Sequence, residues 1–297
     1  MRNLTVFLTG GTGFVGQYIN QFADLNIINA DFDICDYQSV NEAFSGIEPD
    51  WVIHLAAQSF VPRSFDNPQE TFDINFGGTF NLLSVLKKHN FKGRLLFVGS
   101  GDVYGVIEEQ KLPIIENQPL KPRNPYSVSK VAAEALCYQW SQTEAFEVVM
   151  VRPFNHIGPG QSDMFVVSDF AKQITQIKLG LKKPELQVGD IDITRDFTDV
   201  RDVIKAYRLL LQKGVNGEVY NICSGKETSI RVIIDTLCQL SNVDVEIKQE
   251  KSRLRISENR RIFGNSKKLK EVTGWQPEIL LEQSLKDILE DWEQKLK

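Results

Sequence analysis

The segment "VFLTGGTGFVG", residues 6–16, restricts the fold of this chain more than any other stretch. Its consecutive apolar residues predict a strand buried on both faces, and Gly10, Gly13 and Gly16 follow before a helical pattern. Glycine permits a tight turn and lets backbone amides approach a ligand, while the start of a helix favours negative charge. The order strand, glycine turn, helix therefore predicts a dinucleotide pyrophosphate site ahead of a merely structural turn.

Similar apolar runs recur at residues 50–57, 94–100 and 146–154, and helical patterns separate them. This alternation predicts βαβ units and an α/β fold of the Rossmann type, a doubly wound parallel sheet.

The rest of the chain predicts further helices and one more strand. A helix should follow the cap candidates Thr198 and Asp199 and stop at Gly214, and a strand is expected within residues 217–225. Two amphipathic helices are expected around residues 229–240 and 281–295.

Composition excludes several classes of function. The 297-residue chain has a formal net charge of −5, which disfavours a broad nucleic-acid surface. Its four cysteines are far apart in sequence, as is typical of a reduced cytoplasmic protein rather than of a disulfide framework. No apolar run approaches the roughly 18 residues that span a membrane, and no secretory leader precedes the first strand. We therefore expect a cytoplasmic protein with neither nucleic-acid nor membrane partners.

The three histidines are scattered, and no pair has the spacing of metal ligands. We expect His54 to be a packed core residue, His89 to be solvated, and His156 to make a structural hydrogen bond rather than to act in catalysis. No metal site is predicted.

The second strand lacks the acidic residue that usually binds the ribose hydroxyls about 20 residues after the glycine turn. Ile28 and Asn29 stand near that position, and Asp31 comes a little late. Without a carboxylate to repel a 2′-phosphate, the cofactor can be NADPH or NADH. Asp33 and Ile34 are expected at the adenine end, although Asp33 as the cap of the next helix is an equal alternative.

Three residues suggest acid–base chemistry. Tyr126 and Lys130 are four residues apart, so they share one face of the predicted helix that starts in "NPYSVSK". An ammonium group beside a phenol favours the phenolate, so we expect Lys130 to lower the pKa of Tyr126. Ser100 ends a strand and can bind the same substrate oxygen, which predicts proton exchange between Tyr126 and a carbonyl or hydroxyl.

Over essentially its whole length the chain resembles the extended short-chain dehydrogenases/reductases, in their NAD-dependent epimerase/dehydratase group. The motifs occur in that family's order: "TGGTGFVG", "HLAAQS", "NFGGTFNLL", "SGDVYG", "PYSVSK", "RPFNHIGPGQ" and "RDFTDVRDV". The resemblance implies a nicotinamide cofactor that exchanges hydride with C4 of a nucleoside-diphosphate sugar. Tyr126 would be the acid/base, Lys130 would orient the ribose, and Ser100 would bind the reacting oxygen.

Motif and resemblance together give a set of expected site residues. For the cofactor these are Gly10, Gly13, Phe14, Val15, Gly16, Asp33, Ile34, Leu55, Ala56, Ala57, Asn75, Tyr126, Lys130, Pro153 and Phe154. For the sugar nucleotide they are Ser100, Asp102, Asn155, Val188, Arg195, Arg255 and Glu258, with the two arginines on the diphosphate. The resemblance also implies a Rossmann domain of residues 1–153 and 194–222, and a smaller mixed α/β substrate lobe of residues 154–193 and 223–297.

The reaction type is inferred from what is missing. The dTDP-sugar dehydratases carry an Asp-Glu pair after the catalytic hydroxyl, where this chain has Gly101 and Asp102. Residues 152–174 and 217–231 most resemble the GDP-4-keto-6-deoxy-D-mannose reductases that form GDP-rhamnose. The prediction is an NAD(P)H-dependent 4-keto reductase. The alternatives are a C4 epimerase, a 4,6-dehydratase (the GDP-mannose dehydratases also lack the first acid) or an NAD(P)-sensing protein. The resemblance further implies a homodimer joined by a four-helix bundle.

Overall fold

A computed structural model describes residues 3–29, 32–250, 253 and 260–297 of the chain. Its strands are β1 (Leu4–Thr9), β2 (Leu25–Ile28), β3 (Trp51–His54), β4 (Arg94–Val98), β5 (Glu147–Pro153), β6 (Asn155–Ile157), β7 (Glu185–Val188), β8 (Thr194–Arg195), β9 (Phe197–Asp199), β10 (Val219–Ile222), β11 (Thr228–Ser229) and β12 (Glu246–Gln249). Its α-helices are α1 (Phe14–Ile19), α2 (Tyr37–Phe44), α3 (Val61–Asp66), α4 (Pro68–Phe72), α5 (Gly78–Lys88), α6 (Pro125–Thr143), α7 (Val166–Lys178), α8 (Val200–Lys213), α9 (Ile230–Ser241), α10 (Lys267–Thr273) and α11 (Leu281–Leu296).

The central sheet confirms the predicted doubly wound fold. Within the described residues its strand order is β10-β5-β4-β3-β1-β2, and every neighbouring pair is parallel. The chain passes from β1 outward to β2 and then returns to β3 on the other side of β1. The direction of winding therefore reverses between β1 and β3, and a ligand crevice is expected beyond the carboxyl ends of these two strands.

The alternating faces of β1 show why its apolar run is continuous. Val6 and Leu8 pack into a core cluster with α8, whereas Phe7 packs into a second cluster with Val40 of α2 and Leu82 of α5. Both faces of the strand are thus covered by helices, and a polar residue at positions 6–9 would be buried.

The smaller lobe has a core of its own. Apolar residues of α7, α9 and α11 pack together with Leu186 and Val188 of β7 in one buried cluster. The helices predicted around residues 229–240 and 281–295 are confirmed as α9 and α11. The expected cap of α8 is confirmed as well, because the Asp199 side chain accepts a hydrogen bond from the Arg201 amide.

Among the helices that were not predicted are α7 and α10. In α10 the sequence "KKLKEVT" offers few apolar positions, so its helical period is weak. Leu269 of α10 and the following Trp275 pack in the cluster of α8, although residues 223–297 were assigned to the substrate lobe. The Trp275 indole also donates to the Asp202 carbonyl at 2.9 Å. The domain boundaries therefore stay a prediction.

No helix in the described ranges combines the length and the apolar character that crossing a bilayer requires.

Candidate active site

The glycine turn lies against the loop that follows β3. Gly10 has a φ of +72°, and a Cβ there would stand 2.7 Å from the Ala56 nitrogen. Ala56 donates its amide to the Thr9 hydroxyl at 3.2 Å, and the Leu55 amide donates to the Thr9 carbonyl at 3.2 Å. Leu55, Ala56 and Ala57 are half-buried beside the turn, at the point where the winding reverses. The structure thus brings these expected cofactor residues together.

The start of α1 presents backbone rather than side chains. Gly13 caps the helix and donates its amide to the Gly10 carbonyl at 3.1 Å. A Cβ on Gly16 would come within 2.6 Å of the same carbonyl, so only glycine fits. Phe14 and Val15 are half-buried in the first turn. The first amides of a helix have no partner within it, and α1 has no acidic residue in its first turn, so this cradle suits a phosphate group.

The end of β2 carries an amide where an acidic residue was expected. A Cβ on Gly11 would collide with the Asn29 side chain, whose Oδ1 atom would be 2.2 Å away. The Asn29 amide therefore packs directly on the glycine turn. Asp31 lies outside the described residues.

Asp33 does not cap the next helix. The cap of α2 is Asp36, which accepts hydrogen bonds from the amides of Gln38 and Ser39 at 3.1 and 3.2 Å. Asp33 instead accepts from the Cys35 amide at 2.9 Å in a local turn. The capping alternative is therefore wrong, and the adenine role of Asp33 stays a prediction. Ile34 is buried against α5, which leaves its side chain little free surface.

The structure brings Ser100 and Tyr126 together. Asn124 caps α6 by accepting a hydrogen bond from the Ser127 amide at 2.7 Å, which places Tyr126 in the first turn of that helix. The Ser100 hydroxyl lies near enough to the Tyr126 phenol to oppose the rise in its pKa that burial causes. Ser100 also accepts the Asp102 amide at 3.1 Å, so its hydroxyl is held by the short turn Gly101–Tyr104 that it caps.

Burial governs the protonation of Tyr126. It raises the pKa of the phenol to about 12, although the nearby Ser100 hydroxyl opposes the shift, and Asp102 adds to it. The Lys130 ammonium donates instead to the Val98 carbonyl at 2.9 Å, and burial lowers its pKa to about 8. The expectation that Lys130 lowers the pKa of Tyr126 is therefore wrong, because burial raises the pKa of the phenol and Lys130 does not contribute to the shift. At neutral pH Tyr126 carries its proton.

Asn75 links two of the segments that surround the site. It is buried in the π-helical turn between α4 and α5, and its side chain exchanges two hydrogen bonds with the backbone of Gln58, at 2.8 and 3.1 Å. The same amide donates to the Ser129 hydroxyl of α6 at 2.9 Å. The side chain joins the loop after β3 to α6, so a direct cofactor contact of Asn75 stays a prediction.

The histidines act structurally. His54 contacts the hydroxyls of Thr9 and Thr79 at 2.7 and 3.0 Å, and burial followed by the nearby Lys130 charge lowers its pKa to about 3, which confirms a neutral core residue. His156 lies 3.2 Å from the Phe154 carbonyl through Nδ1, as expected. His89 is half-buried and contacts Asn41, so the expectation of a solvated ring is wrong.

The side chains of two expected contact residues are buried in hydrophobic clusters. Phe154 follows the buried Pro153 and packs with Tyr104 and Cys223 in a small cluster. Val188 is fully buried in the core of the substrate lobe. Direct side-chain contacts of Phe154 and Val188 with ligands are therefore not supported by their placement. Asn155 is exposed at the start of β6.

Arg195 is half-buried on β8 and donates to the Thr194 carbonyl at 2.7 Å. Arg255 and Glu258 lie outside the described residues.

Asp196, which follows Arg195, was not predicted as a site residue. Its buried carboxylate accepts hydrogen bonds from the amides of Ser224, Gly225 and Gly264 at 2.7 to 3.2 Å. The sequence around Asp196 is polar, so nothing in it indicated that this carboxylate would be buried with three amide partners.

Comparison with known proteins decides the family. A family model described as GDP-mannose 4,6 dehydratase matches residues 20–288. A GDP-6-deoxy-D-mannose reductase of Pseudomonas aeruginosa is 46% identical over 299 residues, with 98% of each chain covered. The chain belongs to the GDP-mannose 4,6-dehydratase family.

Solved structures agree with this assignment. The structure of RMD from Pseudomonas aeruginosa complexed with NADPH has a TM-score of 0.94 and 45% identity, covering 98% of this chain and 99% of that chain. A Thermotoga maritima UDP-glucose 4-epimerase with UDP-glucose has a TM-score of 0.89 and 26% identity, covering 99% of this chain and 100% of that chain. The predicted resemblance to nucleotide-sugar reductases, epimerases and dehydratases is confirmed.

Membership of the GDP-mannose 4,6-dehydratase family does not mean that the acidic residues of a dehydratase are present in this chain. Gly101 stands where the resemblance places the first acid of the dTDP-sugar enzymes, and a Cβ there would press on the Phe154 ring at 3.1 Å. The site therefore has no room for that carboxylate without a shift of Phe154. Asp102, at the second position, is exposed.

Proposed function

We propose that this protein is an NADPH-dependent reductase that converts the C4 ketone of GDP-4-keto-6-deoxymannose to the alcohol, giving GDP-rhamnose. One observation carries the proposal: a buried, protonated Tyr126, with Ser100 beside it, stands in a chain 46% identical to a GDP-6-deoxy-D-mannose reductase. Reduction of a ketone needs a proton donor at the oxygen, and a phenol with a pKa of about 12 is in the donor form at neutral pH.

The residues around the glycine turn fit a dinucleotide. Cβ atoms at Gly10 and Gly16 would collide with the backbone of Ala56, Gly10 and Gly11, so only glycine allows the tight turn that leads into the start of α1, where a pyrophosphate would bind. Bound NADPH would supply the hydride. Asn29 brings no negative charge to the end of β2, which favours NADPH over NADH. Lys130, held by Val98, would donate to the ribose hydroxyls.

In the proposed mechanism, Ser100 binds the C4 oxygen and Tyr126 donates its proton to that oxygen as negative charge develops there. Because the two groups lie near each other, both would contact the same ketone oxygen and orient it before reaction. Arg195 is proposed to bind the diphosphate, with Arg255 as a second guanidinium. Asp102, Asn155 and Glu258 are proposed to contact the sugar.

The decisive experiment incubates the purified protein with NADPH and GDP-4-keto-6-deoxymannose and identifies the product. We expect loss of NADPH absorbance in step with GDP-rhamnose formation. Extraction of cofactor from the fresh protein provides the control. Tightly held, near-stoichiometric NAD⁺ and no net NADPH oxidation would contradict the reductase and indicate a C4 epimerase.

We also propose a cytoplasmic homodimer and the two-part organisation with the boundaries given above. The exposed apolar side chains of Phe65, Phe76, Phe80 and Val128 belong to elements packed around α6, which supports pairing of this face with a second copy. Light scattering of the wild type should give the dimer mass, and Phe80→Glu should give the monomer. A monomeric wild type would refute the dimer.

A further inference from the structure

A buried ion pair joins α6 to β5. The Arg152 guanidinium donates to both carboxylate oxygens of Glu134, at 2.9 and 2.5 Å, and the two side chains are only 6% and 10% exposed. Glu134 lies two helical turns after Tyr126 on the same face of α6. A pair this buried adds little stability over an apolar pair of similar volume, so a fixed geometry is its more informative property.

The same guanidinium holds the turn that carries Ser100. Its Nη1 atom donates to the Tyr104 hydroxyl at 2.8 Å, and that hydroxyl donates to Asn221 Oδ1 of β10 at 2.6 Å. The guanidinium also lies over the Tyr104 ring, 4.9 Å from its centroid. Tyr104 is the last residue of the short turn that Ser100 caps. The side chain is fully buried, so this contact is not exchanged for water.

Ser100 and Tyr126 lie on separate elements, and no backbone ladder connects Gly101–Tyr104 to α6. Arg152 connects them, through Tyr104 on one side and Glu134 on the other. Gly99 allows the chain before Ser100 to lie close to β5 and to Glu134, because a Cβ on it would stand 2.9 Å from the Val151 carbonyl and 3.5 Å from Glu134 Oε2. The geometry points to Tyr104 and Glu134 as positioning residues that, through Arg152, hold the Ser100 hydroxyl and the Tyr126 phenol in register for proton transfer.

This inference rests on the proposed reductase function and is tested by Tyr104→Phe. The variant keeps the ring on Arg152 but loses the hydroxyl that ties the turn to β5 and β10. A small displacement of a reacting group lowers rate steeply, so kcat should fall by about 10- to 100-fold. The KM for the sugar nucleotide and the NADPH dissociation constant, measured by fluorescence titration, should change by no more than about twofold.

A double-mutant cycle separates positioning from general damage. If Tyr104 acts through Ser100, then Ser100→Ala/Tyr104→Phe should be no slower than Ser100→Ala alone. The matched control is Tyr220→Phe, which removes another buried hydroxyl, one that accepts the Val215 amide at 3.1 Å and contacts neither Arg152 nor Ser100. It should lower the melting temperature comparably and leave kcat near wild type. Additive rate losses in the cycle, or an equal kcat loss in Tyr220→Phe, would overturn the inference.

A structural readout keeps the test independent of activity. Crystal structures of the wild type and Tyr104→Phe should show a longer distance between Ser100 Oγ and Tyr126 Oη in the variant, and an unchanged distance would overturn the inference. A wild type inactive on the keto sugar refutes only the proposed function, since this distance is still measured. Should Tyr104→Phe not fold, Glu134→Gln tests the other attachment with the same two readouts.

Discussion

Replacing Tyr126 by phenylalanine tests the proton donor directly. The change removes one oxygen from a side chain that is 8% exposed and leaves its ring in place. A positioned general acid contributes about 10²- to 10⁴-fold, so kcat should fall by that factor. This corresponds to about 3 to 5 kcal/mol of transition-state stabilisation. The fold should tolerate the change, because the buried ring keeps its packing and only one hydroxyl is lost, at a cost of about 1 kcal/mol.

The assay is NADPH oxidation under saturating sugar nucleotide, with the NADPH dissociation constant measured separately by fluorescence. Tyr138→Phe is the matched control, since Tyr138 lies on the same helix with a side chain that is 52% exposed. We expect the control to keep wild-type kcat and both variants to bind NADPH normally. A Tyr126→Phe enzyme with kcat within about threefold of wild type would show that another group donates the proton.

Asn29→Asp should raise the NADPH dissociation constant by about tenfold or more while that for NADH falls, because a carboxylate repels the 2′-phosphate; an unchanged ratio of the two constants would place the adenosine elsewhere. Gly10→Ala should weaken binding of both cofactors and lower the melting temperature, since its φ of +72° and a Cβ 2.7 Å from the Ala56 nitrogen disfavour any side chain; the exposed Gly46→Ala, with a φ of +75° and open space, should cost only backbone strain. A melting temperature equal to wild type would refute the close packing. His54 has its pKa lowered to about 3 by burial, so the unfolded chain binds a proton that the folded chain does not, and stability falls as pH drops from about 6.5 toward 3. In denaturant titrations the free energy of unfolding of the wild type should therefore fall by about 2 kcal/mol more between pH 6.5 and 4.5 than that of His54→Gln. Parallel pH profiles of the two proteins would contradict the buried neutral ring.

Strands β1, β3, β4 and β5 of the large sheet were predictable because each is a short apolar run that is mostly buried. The glycine turn was also predictable, because its backbone has no room for side chains and the sequence therefore has glycine at those positions. The helix α10 was not predictable, because only Leu269 and Val272 carry its apolar face.

The candidate site was predictable as a set of residue types but not as an electrostatic environment. Spacing places Lys130 on the face of Tyr126, yet it does not reveal that the Val98 carbonyl binds the ammonium. Val188 and Phe154 match motif positions, whereas their side chains fill cores that only the folded chain creates. The Tyr104–Asn221 hydrogen bond joins residues 117 positions apart, a contact that no local pattern announces.

The protonation of Tyr126 bears on the direction of the reaction. An epimerase that oxidises its sugar first must begin with a group able to take a proton from the C4 hydroxyl. A reductase begins with a group able to give one to the C4 oxygen. Burial raises the pKa of Tyr126 to about 12, and the Lys130 ammonium donates a hydrogen bond to the Val98 carbonyl rather than stabilising a phenolate. The protonated phenol is the form that reduction of a ketone requires, and Gly101 stands in place of the first acid of the dTDP-sugar dehydratases, so the site supports reduction more directly than dehydration of that kind.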